Sequence, residues 1–226
     1  MENKENKKNI EVYLKEFAEN QYGYDIVLND ENATLGDYVD ALNIFQDNTM
    51  ADCRGCDGCC YERIPLTVAD FWLAKGLTAK LKAKKAADVT LTDWLLAAAE
   101  VHLDGDAIDI VLKRNSDYSC YFLNKEKQEC REHIYRSLVC RTHCCLPKSQ
   151  IAIDIRGDII NAGEDELCRC LLKIPDHPWQ QLLAKCLPED YPESGFSQFA
   201  PEDWRNIPLK SVISPENWQI LIGKEK

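Results

Sequence analysis

Cys53-Arg-Gly-Cys56-Asp-Gly-Cys59-Cys60 is the stretch on which the reading of this chain turns. Two thiolates separated by two residues can converge on one metal, because the intervening turn carries both sulfurs to one side. Gly55 and Gly58 fit that need, since residues without a Cβ relieve crowding where backbone wraps tightly around a ligand. The loop also leaves backbone N–H groups to hydrogen-bond to sulfur, which steadies the negative charge of thiolates and sulfides. Cys60 is the odd member. Adjacent side chains usually diverge, so it is either a spare thiol beside the metal or a ligand to a neighbouring site.

A run of three such cysteines supplies three ligands and takes its fourth from elsewhere, as in the C-x2-C-x2-C runs of bacterial ferredoxins, which this spacing resembles. Candidates follow downstream. Cys120 opens Cys120-Tyr-Phe-Leu, Cys130 ends the polar stretch after Asn124, and Cys140 precedes Arg141. Cys144 and Cys145 come next, beside His143, the best placed of the four histidines to be a ligand. These thiols suffice for one complete cluster and leave room for a second site. Cys168, Cys170 and Cys186 sit among leucines in a helical context, where buried structural thiols are expected.

The bulk composition narrows the setting. At 226 residues, 45% hydrophobic and 29% charged, the chain is long enough to bury a core as one domain. A net charge of −11 argues against a nucleic-acid binder, which needs a basic face, and against an anionic membrane surface. Met1 to Asn9 is polar with no apolar run behind it, and the most apolar segment, Trp94 to Val101, is too short to span a bilayer and contains Glu100. A cytosolic protein is expected. In that reducing setting twelve cysteines point to metal rather than to disulfides.

The expected fold class is α+β: a mainly helical single domain with a small antiparallel hairpin, organised around a cysteine-ligated metal centre. Residues 1–50 read as a helical N-terminal segment, 51–147 as the cysteine-cluster region and 148–226 as a hairpin followed by helices. Intermittent apolar positions from Val12 to Phe45 suggest at least two helical pieces, broken at Gly23 and at Asn29-Asp30-Glu31-Asn32. Thr67 to Ala87 reads as a helix, with Lys80 to Lys85 on its solvated face. A second helix starts near Thr90 or Thr92, with Trp94, Ala98 and Val101 on one stripe. Ile108, Ile110 and Leu112 suggest a short strand. Ile151, Ile153 and Ile155 alternate before Arg156-Gly157-Asp158, which predicts a hairpin with Gly at the turn rather than an adhesion tripeptide. The five tryptophans read as core anchors or lid residues.

Taken in order, Cys53-x2-Cys56-x2-Cys59-Cys60, Ile64-Pro65-Leu66-Thr67, Cys120-Tyr-Phe-Leu and Cys130-x9-Cys140-Arg141 resemble the YkgJ-type cysteine-cluster proteins. That resemblance implies a zinc- or iron-chelating domain over about residues 53–147. Ser137 stands where that family usually has Pro, after Arg136, and Thr142-His143-Cys144-Cys145 replaces its usual aromatic-Pro. The flagellin lysine N-methylases share the cysteine pattern.

Zinc favours two separated CxxC pairs closing a tetrahedron, whereas a triple run with dispersed single cysteines suits an iron–sulfur cube. The expected cofactor is therefore an iron–sulfur cluster, 4Fe-4S, with zinc as the alternative and Cys53, Cys56, Cys59, Cys60, Cys120, Cys130, Cys140, Cys144 and Cys145 as the ligand pool. Three functions compete: electron transfer or a redox step with a redox or protein partner; an S-adenosylmethionine-dependent lysine N-methylase-like enzyme; and a zinc-stabilised interaction module. No G-x-G-x-x-G or C-x3-C-x2-C run supports the second, no C-x-x-C-H supports covalent haem, and a thioredoxin-like dithiol or a Cys–His nucleophile ranks lower.

Overall fold

The computed structural model describes residues 8–50, 55–71, 88–104, 107–131, 133–186, 193–198 and 201–224. It mixes helices with three two-stranded antiparallel sheets, as the α+β reading expects. By its internal contacts the chain divides into two compact units. The first comprises Met1–Ala51, Arg141–Ala162 and Gly195–Lys226; the second comprises Asp52–Cys140 and Gly163–Ser194. No described helix is long and apolar enough to cross a membrane.

The first unit begins with a hairpin where helix was expected. β1 (Ile10–Ala18) pairs with β2 (Gln21–Leu28), from Ile10 opposite Leu28 to Lys15 opposite Gly23, with an irregularity before the turn. Asn20 makes the turn at φ 60, a left-handed conformation that asparagine tolerates. Alternation explains the outcome: Ile10 and Val12 are buried between half-exposed neighbours. Gly23 is needed for close approach, since a Cβ there would lie 2.4 Å from the Phe17 ring and from the Pro147 carbonyl oxygen. The Tyr24 N–H donates to that same carbonyl at 2.9 Å, and the Ser149 N–H returns to the Tyr24 carbonyl at 3.0 Å.

The Asn29–Asn32 break is real. After it, Thr34 and Asp37 form a reciprocal capping box that starts α1 (Leu35–Thr49), which buries Tyr38, Val39, Leu42 and Phe45.

The predicted 151–160 hairpin is a helix instead. Gln150–Leu172, called α4 below, is one 23-residue helix, with Gly157 inside it and no atom within 4 Å of where its Cβ would stand. Helical spacing places Ile151, Ile155 and Ile159 on the buried face and turns Ile153 outward at 47% exposure. Period 2 was thus coincidental. Arg156 and Asp158 work locally: the Arg156 Nε donates to the Thr142 carbonyl, and Asp158 accepts from the Ser214 N–H, the Ser214 hydroxyl and the Asn217 amide, each at 2.8 Å. Ser214 caps α6 (Pro215–Ile222), which buries Trp218 and Leu221.

In the second unit, residues 68–71 open the helix expected after Thr67; residues 72–87, with Trp72 and the Lys80–Lys85 face, lie outside the described residues. Thr90 and Asp93 cap α2 (Leu91–Ala98), which buries Trp94. Val101 is not on that helix. It lies in β3 (Ala99–Asp104), which pairs with β4 (Ala107–Leu112), the strand expected from Ile108, Ile110 and Leu112. The Leu66 N–H donates to the Ile110 carbonyl and the Leu112 N–H to the Ile64 carbonyl, both at 2.8 Å, so the chain leaving the cysteine loop runs along β4. A small pair, β5 (Leu123–Asn124) with β6 (Glu129–Cys130), and two short helices, α3 (Leu138–Arg141) and α5 (Gln180–Cys186), also lie among the described residues.

Two tests follow from the first unit. A strand would put Ile153 and Ile155 on one face, whereas the helix separates them. Ile155→Ala is expected to cost about 2–5 kcal/mol and Ile153→Ala under about 0.5 kcal/mol, read by urea unfolding.

The second concerns Asp25, whose buried carboxylate accepts from Lys15 Nζ (2.8 Å), the Ser149 hydroxyl (2.5 Å), the Ile26 N–H (2.8 Å) and Lys224 Nζ. Burial works to raise this carboxyl, but the donors outweigh it and hold it well below the usual carboxylate range. Lys15 leads the donors that lower it, although its side chain is 45% exposed and water screens the pair. A folded carboxyl with so weak a grip on its proton stabilises fully above the unfolded value of about 3.9, and that contribution is lost as pH falls below it. Asp25→Asn should cost about 2–4 kcal/mol at neutral pH and less in acid, so the gap between the two proteins narrows in unfolding curves as pH falls.

Candidate metal centre

The cysteine loop is described from Gly55 onward; Cys53 lies outside the described residues. Gly55 adopts φ +84, a conformation costly for any side-chain-bearing residue, and its N–H donates to the Gln128 carbonyl at 3.1 Å. That bond ties the loop to the turn between β5 and β6. Beyond the exposed Cys56, residues Gly58–Tyr61 form a single 3₁₀ turn carrying Cys59 and Cys60.

Three further stretches of the second unit come to this turn. The Cys120 N–H donates to the Cys60 carbonyl at 2.6 Å, which joins two cysteine segments through their backbones. Asn115 braces that approach: its side-chain amide donates to the Cys120 carbonyl and to the Ser119 hydroxyl, both at 3.0 Å. Cys130 enters through the register of the small sheet, which sets it opposite Leu123, three residues from Cys120.

Cys140 is carried by α3. The buried Asp70 accepts from the Leu138 N–H at 2.5 Å on one oxygen and from the Thr67 N–H and hydroxyl on the other. The start of α3 is therefore fastened to the start of the helix at 68. Ser137 caps α3, its hydroxyl accepting the Cys140 N–H at 3.2 Å.

The electrostatics show that these sulfurs feel one another. A hydrogen bond from the Cys60 thiol pulls the Cys59 thiol down to about 6, aided by the Arg136 charge and opposed by burial and Asp57. Cys60 is driven the other way: it keeps the proton it gives to Cys59, and burial and the charges of Cys59, Cys120 and Cys140 add to the effect. Burial pushes Cys120 up to about 11, opposed by the nearby backbone N–H groups of Phe122 and Leu123, while Cys130 and Cys59 add like charge. Burial likewise pushes Cys140 up to about 12, with Cys120 and Cys59 adding to it. Cys59, Cys60, Cys120, Cys130 and Cys140 thus form one group.

Among the described residues, no three His, Cys, Asp or Glu side chains stand together tightly enough to hold a single ion. The chemistry of the group nevertheless fits a thiophilic metal. Its donors are all sulfur, with backbone N–H groups and one arginine turned toward them.

Cys144 and Cys145 belong to the first unit. Cys144 is fully buried with its sulfur 3.1 Å from the Met50 sulfur, while Cys145 is exposed. His143 lies in the same unit, where its carbonyl accepts from the Gln46 amide. Cys168 and Cys170 sit on α4, as the helical reading expected: Cys168 is buried, and the Cys170 thiol donates to Glu166 at 3.4 Å. Asp70, Asn115 and Ser137 escaped the sequence reading. Thr67-x-x-Asp70 is a capping-box spacing and Ser137-x-x-Cys140 an N-cap spacing, so two of the three had a signal.

A family model described as "CxxCxxCC: Putative zinc- or iron-chelating domain" matches residues 52–157. No curated protein and no solved structure matches the chain. The matched span opens one residue before Cys53 and takes in all five of the grouped thiols. Residues 52–157 thus resemble the CxxCxxCC family, and that match supports metal chelation as the chemistry of this stretch.

Proposed function

We propose that the second unit holds an iron–sulfur cluster, of the 4Fe-4S type, and serves electron transfer or a redox step. Four ligands come from Cys53, Cys56, Cys59, Cys120, Cys130 and Cys140, and Cys60 is a thiol that donates to the Cys59 sulfur. The observation that carries this reading is the gathering of thiols from separate stretches, with the Cys60 carbonyl and Cys120 N–H hydrogen-bonded at 2.6 Å. Backbone N–H groups close to a cysteine, as Phe122 and Leu123 are to Cys120, suit a ligand whose charge changes during electron transfer. When bound, such a cluster supplies one-electron chemistry. The residues around it bind and orient: Asp70 and Ser137 fix Cys140, Asn115 fixes Cys120, and Arg136 offsets negative charge at Cys59.

Anaerobic purification followed by iron, sulfide and zinc analysis tests this directly. Iron and sulfide in matching amounts are expected; a colourless protein with one zinc and no sulfide would end the iron–sulfur reading. The ligand assignment has its own test. Cys120→Ala should weaken metal retention by at least about tenfold, more than loss of an outer hydrogen bond does, whereas Cys144→Ala should retain the full metal complement. Bound metal should also stabilise the fold, by about 2.7 kcal/mol where free metal stands at about 100 times Kd, so chelation should lower Tm.

A further inference from the structure

Met50 and the stretch around Cys144 lie together in the first unit, apart from the thiols proposed above as ligands. Met50 follows the last turn of α1, where its N–H donates to the Gln46 carbonyl at 2.9 Å. The side-chain amide of the same Gln46 donates to the His143 carbonyl, so one residue places both Met50 and the chain at 143. Neighbouring carbonyls are engaged as well. Thr142 accepts from the Arg156 Nε at 3.2 Å, Cys144 from Lys148 Nζ at 3.3 Å and Pro147 from the Tyr24 N–H at 2.9 Å. On this fastened backbone the fully buried Cys144 donates its thiol to the Met50 sulfur at 3.1 Å. Two sulfurs 94 positions apart in the chain thus converge, with the thiol proton between them.

We propose that Met50 and Cys144 form a separate site for a soft monovalent metal ion, Cu(I), which takes the place of that proton. A thioether beside a thiolate is a soft donor pair, and soft donors select Cu(I). Charge favours the same ion. Cu(I) with one thiolate and a neutral thioether is uncharged overall and is tolerated in a buried place, whereas a divalent ion on the same pair leaves a net positive charge away from water. The exchange balances simply: the S–H bond breaks, the Cu–S bond forms, one proton leaves to solvent and no electron is transferred. With metal–sulfur bonds of about 2.3 Å, sulfurs 3.1 Å apart hold an ion to one side of the line between them. Met50, unbranched and flexible, is the partner that swings to open the angle.

The test is an anaerobic Cu(I) titration of the full-length chain, carrying its purified metal, against a chromogenic Cu(I) chelator. Iron, sulfide and zinc are measured before and after, because the thiols of the second unit also attract Cu(I). Wild type is expected to take up one Cu(I) tightly, with release of one proton and no loss of the metal already bound. Cys144→Ala should lose that site. Met50→Leu keeps the side-chain volume but not the thioether, and should bind Cu(I) at least about tenfold more weakly, more than loss of a hydrogen bond to a ligand costs. A Met50→Leu protein with wild-type Cu(I) affinity would overturn the proposal, since Cys144 would then act as a lone thiol. So would a Cys144→Ala protein that keeps the site, or copper taken up only in exchange for iron or zinc. The iron–sulfur reading is judged separately, by the metal and sulfide present before copper is added.

Discussion

Gathering thiols in a partly buried place is the constraint to which the rest of the second unit answers. Each of Cys59, Cys60, Cys120 and Cys140 is affected by burial and by the like charge of its neighbours, and left to themselves such groups would keep their protons or spread apart. The chain counters this with fixed dipoles and one cation rather than with carboxylates. Backbone N–H groups of Phe122 and Leu123 oppose burial at Cys120, Ser137 opposes it at Cys140, and Arg136 acts on Cys59. A bound metal would complete that logic, since a central cation inverts the preference for protonated sulfur.

Holding the sulfurs together falls largely to irregular backbone, which explains the polar residues found there. Loops cannot rely on a repeating ladder, so their N–H and carbonyl groups need individual partners. Asp70 serves three donors from two segments, Asn115 bonds the Cys120 carbonyl, and the Gln128 carbonyl takes the Gly55 N–H. Regular structure enters one step back. β4 accepts the chain at Ile64–Leu66, just after Cys60, and so fixes where the cysteine loop ends. Asp70 is within a few residues of that same strand contact. The hairpin, the helix start at 68 and the α3 turn therefore form one frame, and the thiol-bearing turns hang from it.

Much of this was readable in the residues, and the failures have definite causes. The cysteine spacing, the Thr90 cap and the alternation of Ile108, Ile110 and Leu112 each stated a local preference that tertiary packing left unchanged. The 150–172 helix was misread because Ile151, Ile153 and Ile155 satisfy period 2 over five residues, while the deciding signal, Ile151, Ile155, Ile159 and Leu167, needs a longer window. The N-terminal hairpin was hidden for a different reason. Both faces of β2 are buried near Tyr24 to Val27, including the charged Asp25, so the strand shows no clean alternation. Asp25 reads as a surface residue until Lys15, Ser149 and Lys224 come to it from distant positions. In the site, spacing pointed to thiols without ranking them. Cys144 and Cys145 lie close in sequence to Cys140 and are counted in the first unit.

Cys59 and Cys60 show how far local geometry can alter a plain expectation. Neighbouring side chains on extended backbone point apart, which left Cys60 as either a spare thiol beside the metal or a ligand to a neighbouring site. The 3₁₀ turn at Gly58–Tyr61 changes the angle between them, and the Asp57 carbonyl, accepting the Cys60 N–H at 2.8 Å, holds the turn closed. In that conformation the two thiols are pushed in opposite directions, Cys59 down and Cys60 up. Cys60 also offers its carbonyl to the Cys120 N–H, so one residue sets the charge state of one proposed ligand and the position of another.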